Sequence, residues 1–221
     1  MSAAQLPASS GLPLKPRLRG HLHQWAAATF FVAGIVLIAL AHGSRARFAA
    51  IVYAVAVCLL YGTSALYHRR NWQPRARAIM KRLDHSMILV LIAGTYTPFA
   101  LLLLHGSTST AVLAIAWGGA LAGITLRMLW LSAPRWAVIP PYLIVGWIAV
   151  FVMPELLHAG GVATLVLVAG GGLIYSLGAV VYATKRPDPW PRTFGYHEVF
   201  HLMTILAGVM MYIAISLAVY R

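Results

Sequence analysis

Acidic residues are almost missing from this chain of 221 residues. Four carboxylates, Asp84, Glu155, Asp188 and Glu198, stand against 17 lysines and arginines, which gives a formal net charge of +13. Charged residues make up only 10% of the sequence, hydrophobic residues make up 61%, and the mean hydropathy is +0.79. Soluble domains carry about 25% charged residues. The composition therefore excludes an ordinary soluble protein and indicates a chain solvated mainly by lipid.

Cysteine is also scarce, with one residue in the whole chain. The single thiol, Cys58, lies inside an apolar run, so no disulfide can form within the chain and packing is its expected role. The abundant basic residues are confined to short loops and tails between apolar segments, from which no surface for reading nucleic acid can be assembled. We therefore exclude nucleic acid as a partner. We expect membrane lipids instead, with anionic headgroups at the basic loops.

Seven apolar runs are long enough to cross the roughly 30 Å hydrocarbon core of a bilayer. They predict an all-α, seven-transmembrane helical bundle, with spans near residues 25–41, 48–67, 84–104, 111–131, 136–154, 163–183 and 197–220. Pro140, Pro141 and Gly146 would kink the fifth span. Residues 1–20 lack the features of a secretory signal. We expect them to form a short disordered basic cytoplasmic tail before a single membrane domain of residues 21–221.

The distribution of lysine and arginine predicts the orientation, because cytoplasmic loops retain these residues and translocated loops lose them. One side, which includes the tail and residues 69–82, carries thirteen of them, whereas the other side carries Arg45, Arg47 and Arg221. We therefore predict a cytoplasmic N-terminus and an outside C-terminus in a bacterial inner membrane. Residues 69–82 are expected to form a short interfacial helix, with a solvated basic linker as the alternative.

Ionisable residues inside apolar spans are costly and usually mark a functional site. In the predicted topology His68 ends the second span, Asp84 begins the third and His197 begins the seventh, so all three lie on the cytoplasmic side. His197 and His201 are four residues apart, which places both imidazoles on one helix face. With His68 they would form a three-histidine site with an open position, the arrangement of catalytic zinc. The scarcity of nearby thiolates and carboxylates favours zinc over copper(I), calcium and magnesium.

Two further side chains are candidates for chemistry beside this metal. Asp84 could orient and deprotonate a water molecule made acidic by zinc. Ser64, one turn before His68, could hold that water, orient His68 or stabilise an oxyanion. The alternative for Ser64 is a hydrogen bond to its own helix. The alternative for the whole group is a site without metal, in which Asp84 pairs with Arg82 or His85.

The remaining histidines are interpreted as interfacial residues, because a single histidine at a helix end is more often interfacial than a ligand. These are His21, His23, His42, His105 and His158.

Residues 197–201 also match the H-E-x-x-H pattern of zinc proteases, in which the glutamate is the general base. Because His68 and Asp84 complete a site without it, we interpret Glu198 as a supporting or base residue beside the metal. An intramembrane metalloprotease remains an alternative function.

Three motifs, in this order and on these helices, resemble the hemolysin III proteins. They are Ser64-Ala-Leu-Tyr-His68, then Arg82-Leu-Asp84-His-Ser86 with Gly94-Thr-Tyr-Thr-Pro98 beyond it, and His197-Glu-Val-Phe-His201. Hemolysin III proteins are the bacterial-type branch of the progestin and adipoQ receptor group, which includes the adiponectin receptors. The resemblance implies a seven-helix bundle with an inside N-terminus and zinc bound by the residues matching His68, His197 and His201. It places Asp84 and Ser64 near the zinc-bound water.

The resemblance implies more than one function. Eukaryotic members look like lipid amide hydrolases of ceramidase type or receptors for secreted ligands, and the hemolysin name suggests pore formation. We expect a zinc-dependent hydrolase that acts on a lipid amide or ester from the inner leaflet. The alternatives are a regulator of membrane state with structural zinc, and a pore-forming or lytic channel. The channel has less support, because polar residues cluster at one end of the helices instead of recurring through the bilayer.

Overall fold

The computed structural model describes residues 16–130 and 134–221, with the backbone alone for residues 135–138. This part of the chain is all-helical. Its helices are α1 (His21–Ala39), α2 (Gly43–Arg69), α3 (Pro74–Leu102), α4 (Gly106–Leu129), α5 (Arg135–Gly146), α6 (Met153–Thr184) and α7 (Tyr196–Val219). A 3₁₀ helix, Trp147–Val152, joins α5 to α6.

Six helical segments in the described ranges are long and apolar enough to cross a membrane, judged by length and composition. Five of them are α1, α2, α3, α4 and α7. The sixth is the 46-residue stretch Ile139–Thr184, which contains most of α5, the 3₁₀ helix and α6. The predicted all-helical membrane domain is confirmed at this level.

The stretch Ile139–Thr184 folds back on itself. Trp147 donates a hydrogen bond from Nε1 to Oγ of Ser176 at 2.9 Å, although the two residues are 29 positions apart. In a straight helix they would be separated by about 44 Å. Gly161 has a left-handed φ of +78° inside α6, and the side chain of Arg221 donates to the carbonyl of neighbouring Gly160 at 2.6 Å. The chain therefore reverses at Gly161, beside the end of α7.

The irregularity expected in the fifth predicted span is present. Helix α5 contains Pro140 and Pro141 and ends at Gly146, where the backbone tightens into the 3₁₀ helix. The hydroxyl of Tyr96 donates to the carbonyl of Gly146 at 2.6 Å and accepts from the N–H of Ala149 at 2.9 Å. Tyr96 of α3 therefore holds this junction, because its hydroxyl bonds to one backbone carbonyl and one backbone N–H at the point where the α-helix changes to a 3₁₀ helix.

Helix α3 begins earlier than the sequence predicted. The expected interfacial helix or linker in residues 69–82 is wrong as a separate element, because residues from Pro74 onward are the first turns of α3. Proline is common at the start of a helix, because the N–H groups of the first turn have no partner within the helix and proline has no N–H to leave unsatisfied. Asp84 consequently lies about three turns inside a continuous helix, on a rigid support.

The predicted tail, residues 1–20, lies mostly outside the described residues. Residues 16–20 are described, and we call them the N-terminal turn. The backbone N–H groups of Arg17 and Leu18 donate to the carbonyls of Arg192 and Thr193 in the loop between α6 and α7. Gly20 has a φ of +81°, and a Cβ there would lie 2.8 Å from Cβ of His68. The N-terminal turn therefore lies directly against the end of α2.

Small residues allow α2 and α3 to pack closely. Ala49, Ala56 and Ala93 are fully or almost fully buried, and a Cβ added to Gly94 would lie only 2.5 Å from Cβ of Ala56. Close backbone approach of this kind supplies much of the van der Waals attraction between helices in lipid, where burial of apolar surface gives little driving force.

We expect Gly94→Ala to lower the melting temperature of the purified protein. The methyl overlap should cost about 1–3 kcal/mol, which exceeds the roughly 1 kcal/mol that alanine gains over glycine in a helix. Gly62→Ala is the matched control, because nothing lies within 4 Å of its added carbon, and it should be neutral or stabilising. Adding Ala56→Gly should recover part of the loss. Thermal unfolding in detergent measures all four proteins, and an unchanged melting temperature for Gly94→Ala would contradict this packing.

Candidate metal centre

Three imidazoles converge where α2 ends and α7 begins. Each of His68, His197 and His201 offers a ring nitrogen that lies within 4.8 Å of the other two. The Nε2 atoms of His68 and His197 are 3.2 Å apart. Two nitrogens bound to one tetrahedral ion at about 2.0–2.1 Å would be separated by about 3.3–3.4 Å. This pair therefore already has the spacing of two ligands of one ion.

The helices account for this convergence. His197 and His201 occupy successive turns at the start of α7, and His68 lies in the last turn of α2. The ring centroids are 4.5 Å apart for His197 and His201, 4.7 Å for His68 and His197, and 5.0 Å for His68 and His201. The structure thus brings the three predicted ligands together in a nearly equilateral triangle, which we call the histidine cluster.

The chemistry of the histidine cluster fits a metal ion. Nδ1 of His201 is buried and has no hydrogen-bond partner among residues 16–130 and 134–221. A buried polar atom without a partner is costly, and such atoms in a native protein call for an explanation such as an ion. Neutral imidazoles are preferred ligands of zinc, copper, nickel and iron. The residues present are therefore suited to a transition metal.

Asp84 of α3 lies beside the histidine cluster. Its Oδ2 atom is 3.8 Å from Nε2 of His68 and 3.8 Å from Nδ1 of His85. The hydroxyl group of Ser64 also lies near this carboxyl group. Of the two alternative pairings without a metal, the contact with His85 is therefore present, whereas no ion pair between Asp84 and Arg82 is found in the described residues. The carboxylate is adjacent to His68 but too distant for a direct hydrogen bond.

His23 of α1 belongs to this site, and the expectation that it is interfacial is wrong. Its side chain is only 3% exposed, and its ring stacks on His201 with centroids 3.7 Å apart. Its Nδ1 lies 2.8 Å from Oγ of Ser64, and its Nε2 lies 3.1 Å from Oγ1 of Thr204. Ser64 therefore bonds across to α1, and a bond back to its own helix is not seen in the described residues. The predicted topology could have indicated that His23 belongs to the site, since it places the start of α1 at the same end of the bundle as the histidine cluster.

The hydrogen bonds of His23 determine its tautomer. Thr204 donates its one hydroxyl hydrogen to the carbonyl of His201 at 2.8 Å, so it can only accept from Nε2–H of His23. Nδ1 of a neutral His23 then accepts the hydrogen of Ser64. Both ring nitrogens are occupied by hydroxyl groups. His23 is therefore a support for Ser64 and His201, and not a fourth ligand.

Glu198 has structural partners. Its side chain is fully buried, Oε1 accepts from Nε of Arg19, and Oε2 accepts from the N–H of Gly195 at 2.9 Å. The second contact caps the N-terminus of α7, and the first ties the N-terminal turn to the same helix. With both oxygens engaged in this way, the predicted role of Glu198 as a base and the protease pattern gain no support from its contacts.

A cavity of about 990 Å³ leads from the histidine cluster into the bundle. Its polar end is lined by His23, Ser64, His68, Asp84 and His197. Along α3 its wall consists of Ile88, Leu91, Ile92, Thr95, Tyr96 and Phe99, and its far end includes Leu104, Val152 and Leu156. The helical distance from Asp84 to Phe99 is about 22 Å. The cavity is therefore long and mostly apolar, with its charged and histidine side chains gathered at one end.

These features define a class of protein: a multi-pass integral membrane protein with a histidine cluster capable of binding metal at one end of its helices. Residues 13–212 match the family model described as haemolysin-III related, and the chain belongs to that family. The predicted resemblance and the integral membrane location are thereby confirmed, and a bacterial plasma membrane is consistent with both.

Relatives of this chain occur in bacteria, animals and plants. It is 31% identical to Hemolysin-3 of Bacillus cereus over 182 residues, which cover 82% of this chain and 80% of the relative. It is 25% identical to the monocyte to macrophage differentiation factor of Homo sapiens, over 77% of this chain and 70% of that protein. It is 28% identical to the heptahelical transmembrane protein ADIPOR2 of Oryza sativa subsp. japonica, over 64% of this chain and 69% of the relative.

We expect His68→Ala, His197→Ala and His201→Ala each to reduce bound metal from about one ion per chain to less than about one tenth of that, because a three-ligand site loses its geometry with any one ligand. His23→Phe should keep the metal, since it preserves the ring that stacks on His201 and removes no ligand. Plasma mass spectrometry of detergent-purified protein measures the metal content.

His105→Ala is the control for these variants, because His105 precedes α4 and lies outside the histidine cluster. If any of the three alanine variants retains the metal, the histidine cluster is not the binding site. The same conclusion follows if His105→Ala loses the metal to the same extent.

Proposed function

We propose that this protein is a zinc-dependent hydrolase that cleaves an amide or ester bond of a membrane lipid entering from the inner leaflet. The supporting observation is one arrangement: the histidine cluster and Asp84 lie together at the polar end of a long apolar cavity of about 990 Å³. Ligand pockets typically measure about 300–1,000 Å³. A cavity at the top of that range suits an acyl chain with its linkage held at the histidines.

Zinc is the metal we propose for the histidine cluster. Catalytic zinc sites commonly use three protein ligands and leave one position for water or substrate, and three imidazoles are such a set. His68, His197 and His201 would hold the ion. When bound, zinc supplies Lewis acidity, which polarises a carbonyl group and makes water an effective nucleophile at neutral pH.

Asp84 and Ser64 are the residues we propose for proton transfer and positioning. Asp84 would accept a proton from the attacking water at Oδ2 as the water oxygen bonds to the carbonyl carbon of the lipid. It would return that proton to the leaving nitrogen or oxygen as the carbon–nitrogen or carbon–oxygen bond breaks. Ser64, whose one hydroxyl hydrogen is donated to Nδ1 of His23 at 2.8 Å, would accept a hydrogen bond from the attacking water and hold that water beside Asp84. Lipid would exclude bulk water from the far end of the cavity.

Seven membrane crossings with a cytoplasmic N-terminus are part of this proposal. The hydroxyl of Tyr142 in α5 donates to the carbonyl of His85 near the histidine cluster, at 3.3 Å. A Cβ on Gly160 would instead lie 3.2 Å from Leu103, at the opposite end of α3. The stretch Ile139–Thr184 therefore reaches both ends of the bundle before turning back, which supports counting it as two crossings. The rice relative is named heptahelical, in agreement with that count.

Cysteine labelling tests the proposed topology. In a Cys58→Ser background, Ser107→Cys and His158→Cys should react with an impermeant maleimide on intact cells, whereas Thr193→Cys should react only after permeabilisation. His158 is decisive, because a single crossing by residues 139–184 would place it inside the bilayer. Protection of His158→Cys, with Ser107→Cys labelled as the positive control, would contradict seven crossings.

We expect Asp84→Asn to lower lipid hydrolysis by at least about 100-fold, the usual contribution of a general base, while metal content and melting temperature stay close to those of the unmodified protein. Release of free fatty acid from a panel of N-acyl and O-acyl lipids, in nanodiscs and detected by mass spectrometry, measures the activity. Glu155→Gln is the matched control, since this exposed carboxylate binds Thr108 away from the histidine cluster.

A second candidate function is a regulator of membrane state that uses zinc structurally. It is favoured by the connection that the histidine cluster makes between α2 and α7, and by the ion pair of Arg19 with Glu198, which fastens the N-terminal turn beside it. If Asp84→Asn retains all lipid turnover, or no lipid is turned over by the unmodified protein, while the histidine variants still lose metal and unfold at lower temperature, the regulator replaces the hydrolase.

A further inference from the structure

Arg127 is a buried cation without a hydrogen-bond partner for two of its donors. It lies in the last turn of α4 and is only 8% exposed. Its Nε and Nη1 atoms are buried and bond to nothing in residues 16–130 and 134–221. A buried guanidinium normally has a carboxylate or several hydrogen bonds to offset the loss of water. Arg127 therefore calls for an acceptor.

None of the four acids of the chain forms an ion pair with Arg127 in the described residues. Glu198 is bonded to Arg19 and Gly195, Asp188 accepts from the N–H of Tyr196, and Glu155 accepts from Thr108. Asp84, the fourth and last acid in the sequence, lies 3.8 Å from both His68 and His85. Arg127 therefore has no carboxylate in ion-pair contact, and its buried donors are left for an acceptor from outside the chain.

Other unpartnered donors lie on the face of α3 that meets Arg127. A Cβ on Gly123 of α4 would touch Leu89 of α3 at 2.6 Å, which sets the register of the two antiparallel helices. Ser86 and Arg82 are three and seven residues before Leu89 on the same face, and Arg127 is one turn after Gly123. Oγ of Ser86, which is 1% exposed, and Nε of Arg82 are both buried atoms without partners in the described parts of the chain.

We propose that Arg127, Ser86 and Arg82 form a binding site for the phosphate of an anionic membrane lipid. Two guanidinium groups and a hydroxyl provide the forked, charge-assisted donors that phosphate oxygens accept. The site lies at the end of α4 and near the start of the apolar part of α3, where a headgroup can reach it while the acyl chains stay in the bilayer. It is separate from the histidine cluster and requires no metal.

Neighbours of Arg127 line the large cavity, although Arg127, Ser86 and Arg82 do not line it themselves. Arg127 interacts electrostatically with His85 and Tyr142, and both of these side chains line the cavity. Lys81, one turn before His85, lines the same region and adds positive charge. A lipid phosphate would have to pass between these side chains to reach Arg127.

Melting of the detergent-purified protein tests the proposal with three probes: dioctanoyl phosphatidic acid, dioctanoylglycerol with the same chains but no phosphate, and inorganic phosphate. Phosphatidic acid should raise the melting temperature in a saturable way, and the other two should not. Arg127→Met should weaken this binding by at least about tenfold and Ser86→Ala by several-fold. Without lipid, Arg127→Met should be at least as stable as the unmodified protein, because it removes an unpaired buried charge.

Arg75→Met is the matched control, since it removes an exposed cation from the same helix end as Arg82 and should leave lipid binding unchanged. If Arg127→Met fails to fold, Arg127→Gln and Ser86→Ala carry the test. An equal rise with inorganic phosphate would replace the lipid with a free anion. Binding that survives both Arg127→Gln and Ser86→Ala, or that is lost equally in Arg75→Met, would overturn the site.

Discussion

Polar side chains inside a membrane protein must find their partners within the protein, because hydrocarbon offers none. This constraint governs the end of the bundle where α1, α2, α3 and α7 meet. His23 is satisfied by Ser64 and Thr204, and Glu198 by Arg19 and Gly195. Once those bonds are made, what remains is a cluster of three imidazoles, in which Nε2 of His68 and Nε2 of His197 lie 3.2 Å apart. Nδ1 of His201 is buried there without a partner in the described residues, which is costly unless an ion or another group satisfies it.

Close packing holds that arrangement in place. Gly20 passes so near to His68 that any side chain would collide with it, and the N-terminal turn is tied to the loop between α6 and α7 by two backbone hydrogen bonds. Stacking of His23 on His201 fixes a ring of the histidine cluster from the side. Asp84 is carried well inside α3, on a helix that continues beyond it in both directions. Rigid elements of this kind keep a site within the small tolerances that metal binding and catalysis require.

Much of the site could be predicted from the sequence because hydropathy and the distribution of cations fix which helix ends share a side of the membrane. His68, Asp84 and His201 came together for that reason, and the spacing of His197 and His201 fixed their common face. His23 was missed because one histidine at the start of a helix has the same pattern as an interfacial residue, and only its contacts with Ser64 and Thr204 distinguish it. The sequence also did not reveal that residues 74–82 begin α3, because the charged residues in this segment do not recur with the period of a helix. The turn at Gly161 lies in a continuous apolar sequence, from which the left-handed φ of one glycine cannot be predicted.

X-ray absorption at the zinc edge of the purified protein tests the central claim most directly, because it reports the ligands of the bound ion without reference to activity. Zinc bound by the histidine cluster should show about four nitrogen or oxygen ligands near 2.0–2.1 Å, with the outer-shell scattering of three imidazoles. A spectrum with six oxygen ligands and no imidazole scattering, or a protein that binds no zinc at all, would contradict it.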